Sequence, residues 1–420
     1  MKILLINYAY FVTGGPERYM FNVKNLLEKN GHEVIPFSIK SNDNIHSKYE
    51  KFFANSISSD GSWYYESSKN PKYIFKQLGR LFYSFHVKKK LNQLIKKIKP
   101  DVAYILQYHK KLSPSIIDSC KIHSIPIVVR LSDYLIMCPE TNFFRDGRIC
   151  EDCKVSTFSS VKHKCVKNSR SATFLWWIAN KIHWFIGSYD KIDILICTNS
   201  FMTKKIEEFY PKKFNINIVS TFVPDNKIKI NDKIDKKNLF SFIGNITFQK
   251  GIITFLKAIS LLDKFYKDNN AQVVIMGRDK IGLNHYIEKY GLNKNKIKLI
   301  NYSTLDQVYE LLQRTKFLVF PSNIYENLPN IVLESFNVQT PVISRNIGSL
   351  TSLINNNYNG LTYDKQDPKK LMELLYKGIN MSELDYNNLQ LGCKNTINNN
   401  YSESSHYNNL IESFDAAIKV

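Results

Sequence analysis

Short apolar runs alternate with amphipathic segments along almost the whole chain. The first run, residues 2–8, is followed by two glycines and then by a helical pattern over residues 17–29. Strand-like runs follow at residues 102–107 and 127–131, with a helical pattern between them at residues 115–123. Strands that alternate with helices predict βαβ units and a parallel sheet.

The alternation starts afresh at residue 239 and forms a second series. Its strand-like runs, which are separated by helical patterns, are residues 239–243, 273–276, 297–299, 317–320, 341–344 and 361–363. We therefore expect an α/β protein of two doubly wound, Rossmann-like domains that face each other across a ligand-binding cleft. The join is expected near residues 221–238, and the Asn-rich residues 387–400 are interpreted as a loop.

The chain of 420 residues carries a formal charge of +21. Such a field attracts anions, including nucleic acid, nucleoside diphosphates and an anionic bilayer, although compositional drift explains it equally well. No apolar stretch reaches about 18 residues, so no transmembrane helix is expected. The Trp-containing residues 174–186 predict a helix that is buried in the core rather than bound to a membrane surface. The start lacks the pattern of a signal peptide, and a cytoplasmic protein with reduced thiols is expected.

The segment FLVFPSNIYENLPNIVLESF combines a buried strand, a loop and a helix. Pro329 is suited to the first helical position, where its missing N–H costs nothing. Glu326 then lies just before the helix and Glu334 lies within it. The backbone N–H groups of Asn327 and Leu328 fall where an anion binds at a helix N-terminus.

Two glutamates separated by seven residues resemble the signature of glycosyltransferase family 4. That family has the GT-B fold and retains the anomeric configuration of the sugar. The resemblance implies that Glu326 contacts hydroxyls of the donor sugar and that Glu334 binds the ribose hydroxyls of the nucleotide, through charge-assisted hydrogen bonds. It also implies an N-terminal acceptor-side domain at 1–222, a donor-binding domain at 223–400 and a terminal helix at 401–420 that crosses back to the first domain.

The segment FIGNITFQKG resembles the family's strand–Gly–Arg…Glu–Lys–Gly element. Gly244 allows the backbone to approach a ligand, and Lys250 matches the lysine that binds the donor diphosphate. Asn245 stands where Arg is usual and Gln249 where Glu is usual. One cationic contact to the diphosphate is therefore missing or moved, while Asn245 keeps a donor-binding position.

The sequence GGPER after the first strand resembles the N-terminal GG-x-E-R loop of the family. Adjacent glycines permit positive φ and close approach to a ligand, and the helix that follows favours negative charge at its start. Gly15 is therefore a candidate donor contact. A simple tight turn is the alternative interpretation.

Four cysteines lie in an irregular loop at residues 131–168 with a CxxC at its centre. Thiolates at Cys138, Cys150, Cys153 and Cys165 could hold a structural Zn²⁺ in tetrahedral geometry. Such a clip would stabilise a long loop that has little secondary structure of its own. Free reduced thiols or a local disulfide are the alternatives.

A subset of family 4 enzymes resembles this loop, with Asp-Tyr, then Cys-Pro, then CxxC. In many of them a histidine near the reacting sugar precedes the aspartate, and here that position is Ser132. Asp133 is the acceptor-side candidate, and a loop cap is the alternative. The catalytic candidates are then Glu326, Lys250 and Asp133, and no cofactor is required. The resemblance implies front-face attack, in which the departing diphosphate helps to deprotonate the acceptor hydroxyl. The protein then has to stabilise charge on the leaving group and position the sugar.

The sequence thus predicts a retaining transferase that moves a hexose-type sugar from a UDP- or GDP-sugar to a hydroxyl of a glycan or lipid-linked glycan in cell-surface polysaccharide synthesis. We expect it to lie peripherally on the inner face of the plasma membrane and not to bind nucleic acid. A nucleotide-sugar epimerase is one rival, but no paired carboxylates or histidines stand out for it. A basic zinc-containing nucleic-acid-binding protein is the other, and the two α/β halves disfavour it.

Overall fold

A computed structural model describes residues 1–57, 71–225, 236, 238–268, 270–301 and 304–419. The predicted join therefore lies largely outside the described residues. The strands, in chain order, are β1 Lys2–Asn7, β2 Glu33–Phe37, β3 Val102–Gln107, β4 Ile127–Arg130, β5 Phe144–Arg145, β6 Arg148–Ile149, β7 Ile194–Cys197, β8 Ile216–Ile218, β9 Leu239–Ile243, β10 Gln272–Met276, β11 Ile297–Ile300, β12 Phe317–Phe320, β13 Val342–Arg345 and β14 Gly360–Tyr363.

Helices follow most of these strands. They are α1 Gly15–Lys29, α2 Pro71–Leu81, α3 Phe85–Ile98, α4 Ser115–Ile122, α5 Ser159–Lys162, α6 Arg170–Phe185, α7 Ser200–Phe209, α8 Ile252–Phe265, α9 Leu283–Lys289, α10 Leu305–Arg314, α11 Asn330–Asn337, α12 Leu350–Leu353, α13 Pro368–Ile379, α14 Glu383–Asn400 and α15 Glu403–Lys419. No helix within the described ranges is both long and apolar enough to cross a membrane.

The chain divides into two compact units. Unit 1 comprises Met1–Thr141, Glu151–Val219 and His406–Val420, and unit 2 comprises Asn142–Cys150 and Ser220–Ser405. Unit 1 contains a parallel sheet in the order β2-β1-β3-β4-β7-β8. Unit 2 contains a parallel sheet in the order β11-β10-β9-β12-β13-β14. The predicted pair of parallel α/β domains is therefore confirmed.

Apart from its edge strand β11, the sheet of unit 2 is largely buried on both faces, as the apolar character of its strands requires. In β12, Phe317 and Val319 join the apolar cluster formed with α8, α9 and α13. Leu318 and Phe320 join the opposite cluster, formed with α10, α11 and α12. Successive side chains of β12 thus pack into the two clusters alternately. This alternation fixes the register of β12 in the sheet.

The Asn-rich segment was expected to be a loop, and this prediction was wrong. It forms most of α14, in which Leu389, Cys393 and Ile397 recur on one buried face. Apolar residues at intervals of four specify a helix even where the solvent-facing positions are asparagines, because burial of the stripe outweighs their modest propensities. Gly392 lies on the same buried face.

Gly392 lets α14 approach the backbone before β14, since a Cβ atom there would lie 1.8 Å from the carbonyl oxygen of Tyr358. Gly→Ala within a helix normally stabilises by about 1 kcal/mol. We expect Gly392→Ala instead to lower the free energy of unfolding by about 1–3 kcal/mol through overpacking. Urea unfolding followed by circular dichroism measures this, with Asn388→Ala on the exposed face of α14 as the control. A stabilised Gly392→Ala variant would contradict the packing.

Unit 1 includes the end of the chain, which packs on its sheet through a small polar cluster. The hydroxyl groups of Tyr19 in α1 and Tyr104 in β3 are 2.7 Å apart, and Nε2 of His406 lies 3.3 Å from the Tyr19 hydroxyl. Phe414 packs edge-on against Tyr104, with ring centroids 5.3 Å apart. These contacts attach α15 to the centre of the unit 1 sheet.

His109 follows β3 and is held between two tyrosines of unit 1. Its ring centroid is 4.0 Å from that of Tyr108 and 6.4 Å from that of Tyr189. Its buried Nε2 atom has no hydrogen-bond partner among the described residues. Burial, with Lys110 and His183 nearby, lowers the pKa of His109 to about 3, against 6.5 for an ordinary histidine.

The unfolded chain therefore binds more protons than the folded chain between these two pKa values, so stability is lost as the pH falls from 6.5 towards 3. At pH 5 the loss through His109 is about 2 kcal/mol. We expect His109→Gln to reduce the fall in unfolding free energy between neutral pH and pH ~5 by that amount. Urea titrations at both pH values test this, with the exposed His285→Gln as the control. If the unfolding free energies of wild type and His109→Gln fall equally between the two pH values, His109 does not cause the loss of stability in acid.

Candidate active site

Two loops at the carboxyl edge of the unit 2 sheet bring the predicted donor residues together. The first follows β9 and contains Gly244, whose φ is 143°, and the exposed Asn245. It ends in a short 3₁₀ turn at Phe248–Lys250, capped by the Thr247 side chain, which accepts from the backbone N–H of Lys250. Because the strands are parallel, the loop that follows β12 emerges at the same edge.

Close backbone contacts join these two loops. Gly251 has a φ of 75°, and a Cβ atom there would lie 1.8 Å from the carbonyl oxygen of Pro321. The backbone N–H of Asn323 donates to the carbonyl oxygen of Gln249 at 2.9 Å, and its side-chain amide donates to that of Phe248 at 3.3 Å. Only glycine fits at residue 251, so the loops have a fixed register.

Lys250 and Glu326 form an ion pair between the loops. The Lys250 ammonium donates to both carboxylate oxygens of Glu326, at 2.7 Å and 2.9 Å. The Glu326 side chain is only 9% exposed, whereas that of Lys250 is 28% exposed. The carboxylate is therefore held inside the edge of the sheet, while the cation keeps a face toward solvent.

Two serines hold Glu326 in place, and the sequence analysis missed both. The Ser322 hydroxyl donates to a carboxylate oxygen of Glu326 at 2.6 Å. The Ser349 hydroxyl donates to the backbone carbonyl oxygen of the same residue at 2.7 Å. Ser349 comes from the loop after β13, which no sequence spacing links to Glu326. These bonds preorganise the carboxylate, as a binding site requires.

Glu334 lies within α11, as predicted, and is 9% exposed. The helix begins one residue later than expected, since Pro329 is its N-cap with ψ of 112° and Asn330 is its first residue. Asn327 and Leu328 thus precede the helix, and both are half-buried. Their N–H groups belong to the loop that carries Glu326 rather than to the first turn of the helix.

Part of the Cys-rich loop packs on unit 2 beside this site. Residues Asn142–Cys150 belong to unit 2 and contain the β5–β6 hairpin. The Phe143 ring lies edge-on to that of Tyr325, with centroids 5.8 Å apart, and Ile149 packs against the apolar cluster around α11. The hairpin therefore supports the loop that presents Glu326.

The GG-x-E-R segment starts α1 in unit 1. Gly14 is its N-cap with an extended φ of −173°, and Gly15 is the first helical residue. Neither has the positive φ that adjacent glycines permit. Glu17 is buried and accepts from the Thr13 hydroxyl at 2.8 Å, and burial together with Glu17 raises the pKa of Tyr8.

Asp133, the acceptor-side candidate, also lies in unit 1. Its Oδ1 accepts from the backbone N–H of Leu135 at 2.9 Å, which is the geometry of a loop cap. Burial raises the pKa of this carboxyl group, and the Leu135 N–H and Lys110 partly offset the shift. Gly15 and Asp133 thus belong to a different unit from Lys250, Glu326 and Glu334.

The zinc prediction has no geometric support. Across the described ranges no group of three or more Cys, His, Asp or Glu side chains is placed to hold a metal ion. Cys138 is buried, whereas Cys150, Cys153 and Cys165 are half-buried. Cys150 lies in unit 2, whereas Cys138, Cys153 and Cys165 lie in unit 1. The spacing of the four cysteines along the loop could not show that the β5–β6 hairpin packs on unit 2.

The chain is similar to known glycosyltransferases, most clearly in unit 2. Residues 224–388 match the family model for Glycosyl transferases group 1. The chain is 26% identical over 194 residues to an uncharacterized glycosyltransferase of Methanocaldococcus jannaschii, covering 46% of this chain and 51% of that protein. It is 23% identical over 366 residues to an uncharacterized 42.6 kDa protein in the cps region of Klebsiella pneumoniae, covering 84% and 87%.

A third relative, from Campylobacter jejuni, is an alpha-1,4-N-acetyl-D-galactosaminyltransferase named for an undecaprenol-linked substrate. It is 28% identical over 174 residues, covering 40% of this chain and 47% of that protein. The chain thus spans about half the length of the Methanocaldococcus and Campylobacter relatives.

Solved structures of other glycosyltransferases superpose on almost the full length of this chain. A glycosyltransferase from Rickettsia africae superposes with a TM-score of 0.66 at 16% identity, covering 100% of this chain and 98% of that chain. HepE from Anabaena, solved with UDP-glucose, gives a TM-score of 0.64 at 13% identity, covering 99% and 100%. The fold is therefore GT-B, and unit 2 carries a glycosyl transferases group 1 domain.

The ion pair can be tested by a double-mutant cycle. Lys250→Met leaves the Glu326 carboxylate buried without its cation. Because Lys250 is partly exposed, we expect a loss of about 1–2 kcal/mol in unfolding free energy, less than for a fully buried pair. The double variant Glu326→Gln with Lys250→Met should lose about 1 kcal/mol less unfolding free energy than the sum of the losses in the two single variants. Urea unfolding measures each variant. Lys294→Met, which breaks an exposed pair with Glu288, is the control, and additive effects in the cycle would contradict the pairing.

Proposed function

We propose that the protein is a retaining glycosyltransferase that moves a hexose-type sugar from a UDP- or GDP-sugar to a hydroxyl of a glycan or lipid-linked glycan. The observation that carries the proposal is the Lys250–Glu326 pair at the carboxyl edge of a group 1 domain, where open α/β sheets bind their ligands. The buried Glu334 lies on the helix that follows.

In this proposal, Lys250 binds the donor diphosphate, and the geometry of its pair with Glu326 is compatible with that role. An ammonium group has three donors, and Glu326 accepts two of them. The third is left for a phosphate oxygen on the partly exposed side of the cation. Glu326 holds the ammonium in place, so charge that develops on the leaving diphosphate meets a preorganised cation.

The two glutamates take different parts of the donor in this proposal. The Glu326 carboxylate accepts hydrogen bonds from hydroxyl groups of the sugar, and the Glu334 carboxylate accepts hydrogen bonds from those of the ribose. The bond from the anomeric carbon to the diphosphate breaks as the bond to the acceptor oxygen forms on the same face of the sugar. The acceptor proton passes to the leaving diphosphate, and Asp133 in unit 1 is the acceptor-side candidate.

The relatives support a place in cell-surface glycan synthesis. One is encoded in a cps region of Klebsiella pneumoniae and aligns along most of this chain. Another, in Campylobacter jejuni, is named for an undecaprenol-linked substrate. We therefore propose a lipid-linked glycan as the acceptor and an anionic membrane surface as the place of reaction.

Donor binding is the direct test. We expect UDP, GDP or one of their sugar conjugates to raise the melting temperature of the full chain, since a ligand at 100 times its Kd stabilises by about 2.7 kcal/mol. Glu334→Ala and Lys250→Ala should each weaken nucleotide affinity by roughly tenfold or more, because each removes a charged contact. Differential scanning fluorimetry across nucleotide concentration gives both results.

Glu310→Ala and Lys294→Ala are matched controls, because both residues are exposed on the same unit and form pairs of their own. These controls should keep the wild-type shift. If no nucleotide stabilises the wild-type chain, or if Glu334→Ala and Lys250→Ala both bind as wild type does, the donor site is wrongly assigned.

A further inference from the structure

Helix α6 carries apolar side chains on its solvent-facing side. Phe174, Ile182 and Phe185 are all exposed, and Phe185 is 91% exposed. Their spacing of eight and three residues places them on one side of the helix. The sequence favoured core burial of this segment, and that prediction fails for these three residues because the helix buries another face, which contains Ala179 and His183.

A third exposed aromatic side chain, that of Phe85 at the start of α3, is 77% exposed. The Nε2 atom of His183 donates to the carbonyl oxygens of Leu81 and Phe82, each at 3.0 Å. The C-terminal part of α6 therefore packs directly on the turn that leads into α3.

Ion pairs and hydrogen bonds complete this junction. Lys191 donates to the carbonyl oxygen of Ile186 at 3.2 Å and to Asp118 at 2.7 Å. The Tyr83 hydroxyl donates to the other Asp118 oxygen at 2.6 Å, and the Tyr83 ring contacts that of Phe85 at 5.2 Å. The end of α6 and the start of α3 therefore form one continuous surface, which we call the α3–α6 face.

The charge of this surface has one sign. Helices α2, α3 and α6 contain no Asp or Glu. A shallow depression, open to solvent, lies along α3 and is lined by Phe85, Lys88, Lys89, Asn92, Gln93 and Lys96. Two nearby acidic groups are paired, Asp118 with Lys191 and Asp190 with Lys213. Other exposed or half-buried cations on the three helices are Lys76, Lys90, Lys97, Arg170 and Lys181.

We propose that the α3–α6 face docks unit 1 on a bilayer that contains anionic lipids. Phe85 and Phe185 enter the boundary between headgroups and acyl chains, and Lys88, Lys89 and Lys96 contact lipid phosphates. Exposed aromatic side chains flanked by lysines fit the interfacial zone, where rings enter the apolar layer and ammonium groups stay at its surface. A two-fold contact between copies of the chain would bring two basic helices together, and like charges oppose this.

The docking proposal deepens the proposed function, since a lipid-linked acceptor has to be reached at a membrane, but it is measured without any sugar transfer. Full-length protein is floated with phosphatidylcholine–phosphatidylglycerol vesicles and, separately, with pure phosphatidylcholine vesicles. We expect binding to the anionic vesicles at low salt and strong loss at high salt or without phosphatidylglycerol. Each lysine near an anionic surface contributes roughly a fivefold change in partitioning.

Two test variants and two matched controls locate the surface. Phe85→Ser with Phe185→Ser, and Lys88→Gln with Lys89→Gln and Lys96→Gln, should each reduce partitioning by about tenfold or more. Phe265→Ser with Leu384→Ser removes side chains of unit 2 that are 59% and 72% exposed. Lys289→Gln with Lys298→Gln and Lys369→Gln removes the same charge from unit 2. Both controls should bind vesicles as wild type does.

Three outcomes overturn the proposal: wild-type protein that does not float with anionic vesicles at low salt, test variants and controls that lose binding equally, or light scattering that shows a wild-type oligomer dissociated by the Phe85 and Phe185 changes. The nucleotide-induced thermal shift is measured on the same samples. A wild-type chain that shows the nucleotide shift but does not bind vesicles rejects the docking face alone, whereas a wild-type chain that binds vesicles without any nucleotide shift rejects the donor site alone.

Discussion

The candidate site depends on a backbone contact between two loops of one parallel sheet. Gly251 lies so close to the carbonyl oxygen of Pro321 that no other residue fits. This contact fixes the loop that carries Lys250 against the loop that carries Glu326, and the ion pair then forms between them. An isolated pair of that kind gains little in water, but donors that are already in place hold a buried carboxylate in one orientation.

The surroundings of Glu326 come from three loops at the same sheet edge. Ser322 follows β12, Ser349 follows β13, and Lys250 follows β9. Parallel strands bring the loops together because all carboxyl ends lie on one side of the sheet. The hairpin at residues 142–150 adds a fourth support through the contact of Phe143 with Tyr325.

The two units show different surface chemistry. Unit 2 is built around the donor candidates, whereas unit 1 presents basic helices and the exposed aromatics Phe85 and Phe185. A net charge of +21 does not by itself say which surface of the protein is positive. Helices α2, α3 and α6 concentrate positive charge in unit 1, since these helices contain no acidic residue. A transferase that takes its acceptor from a membrane would use such an arrangement to increase its encounters with the acceptor.

The sequence alone determined the α/β alternation, the two sheets and the positions of Lys250, Glu326 and Glu334 in the second series, because apolar periodicity and strand–loop spacing are local. It failed where long-range packing decides. The buried stripe of α14 overrode an Asn-rich composition, and the Cys-rich loop divided between the units. Only the tertiary structure placed Ser349 on Glu326 and His183 on the turn before α3, because contacts between residues distant along the chain depend on how helices pack on the sheet.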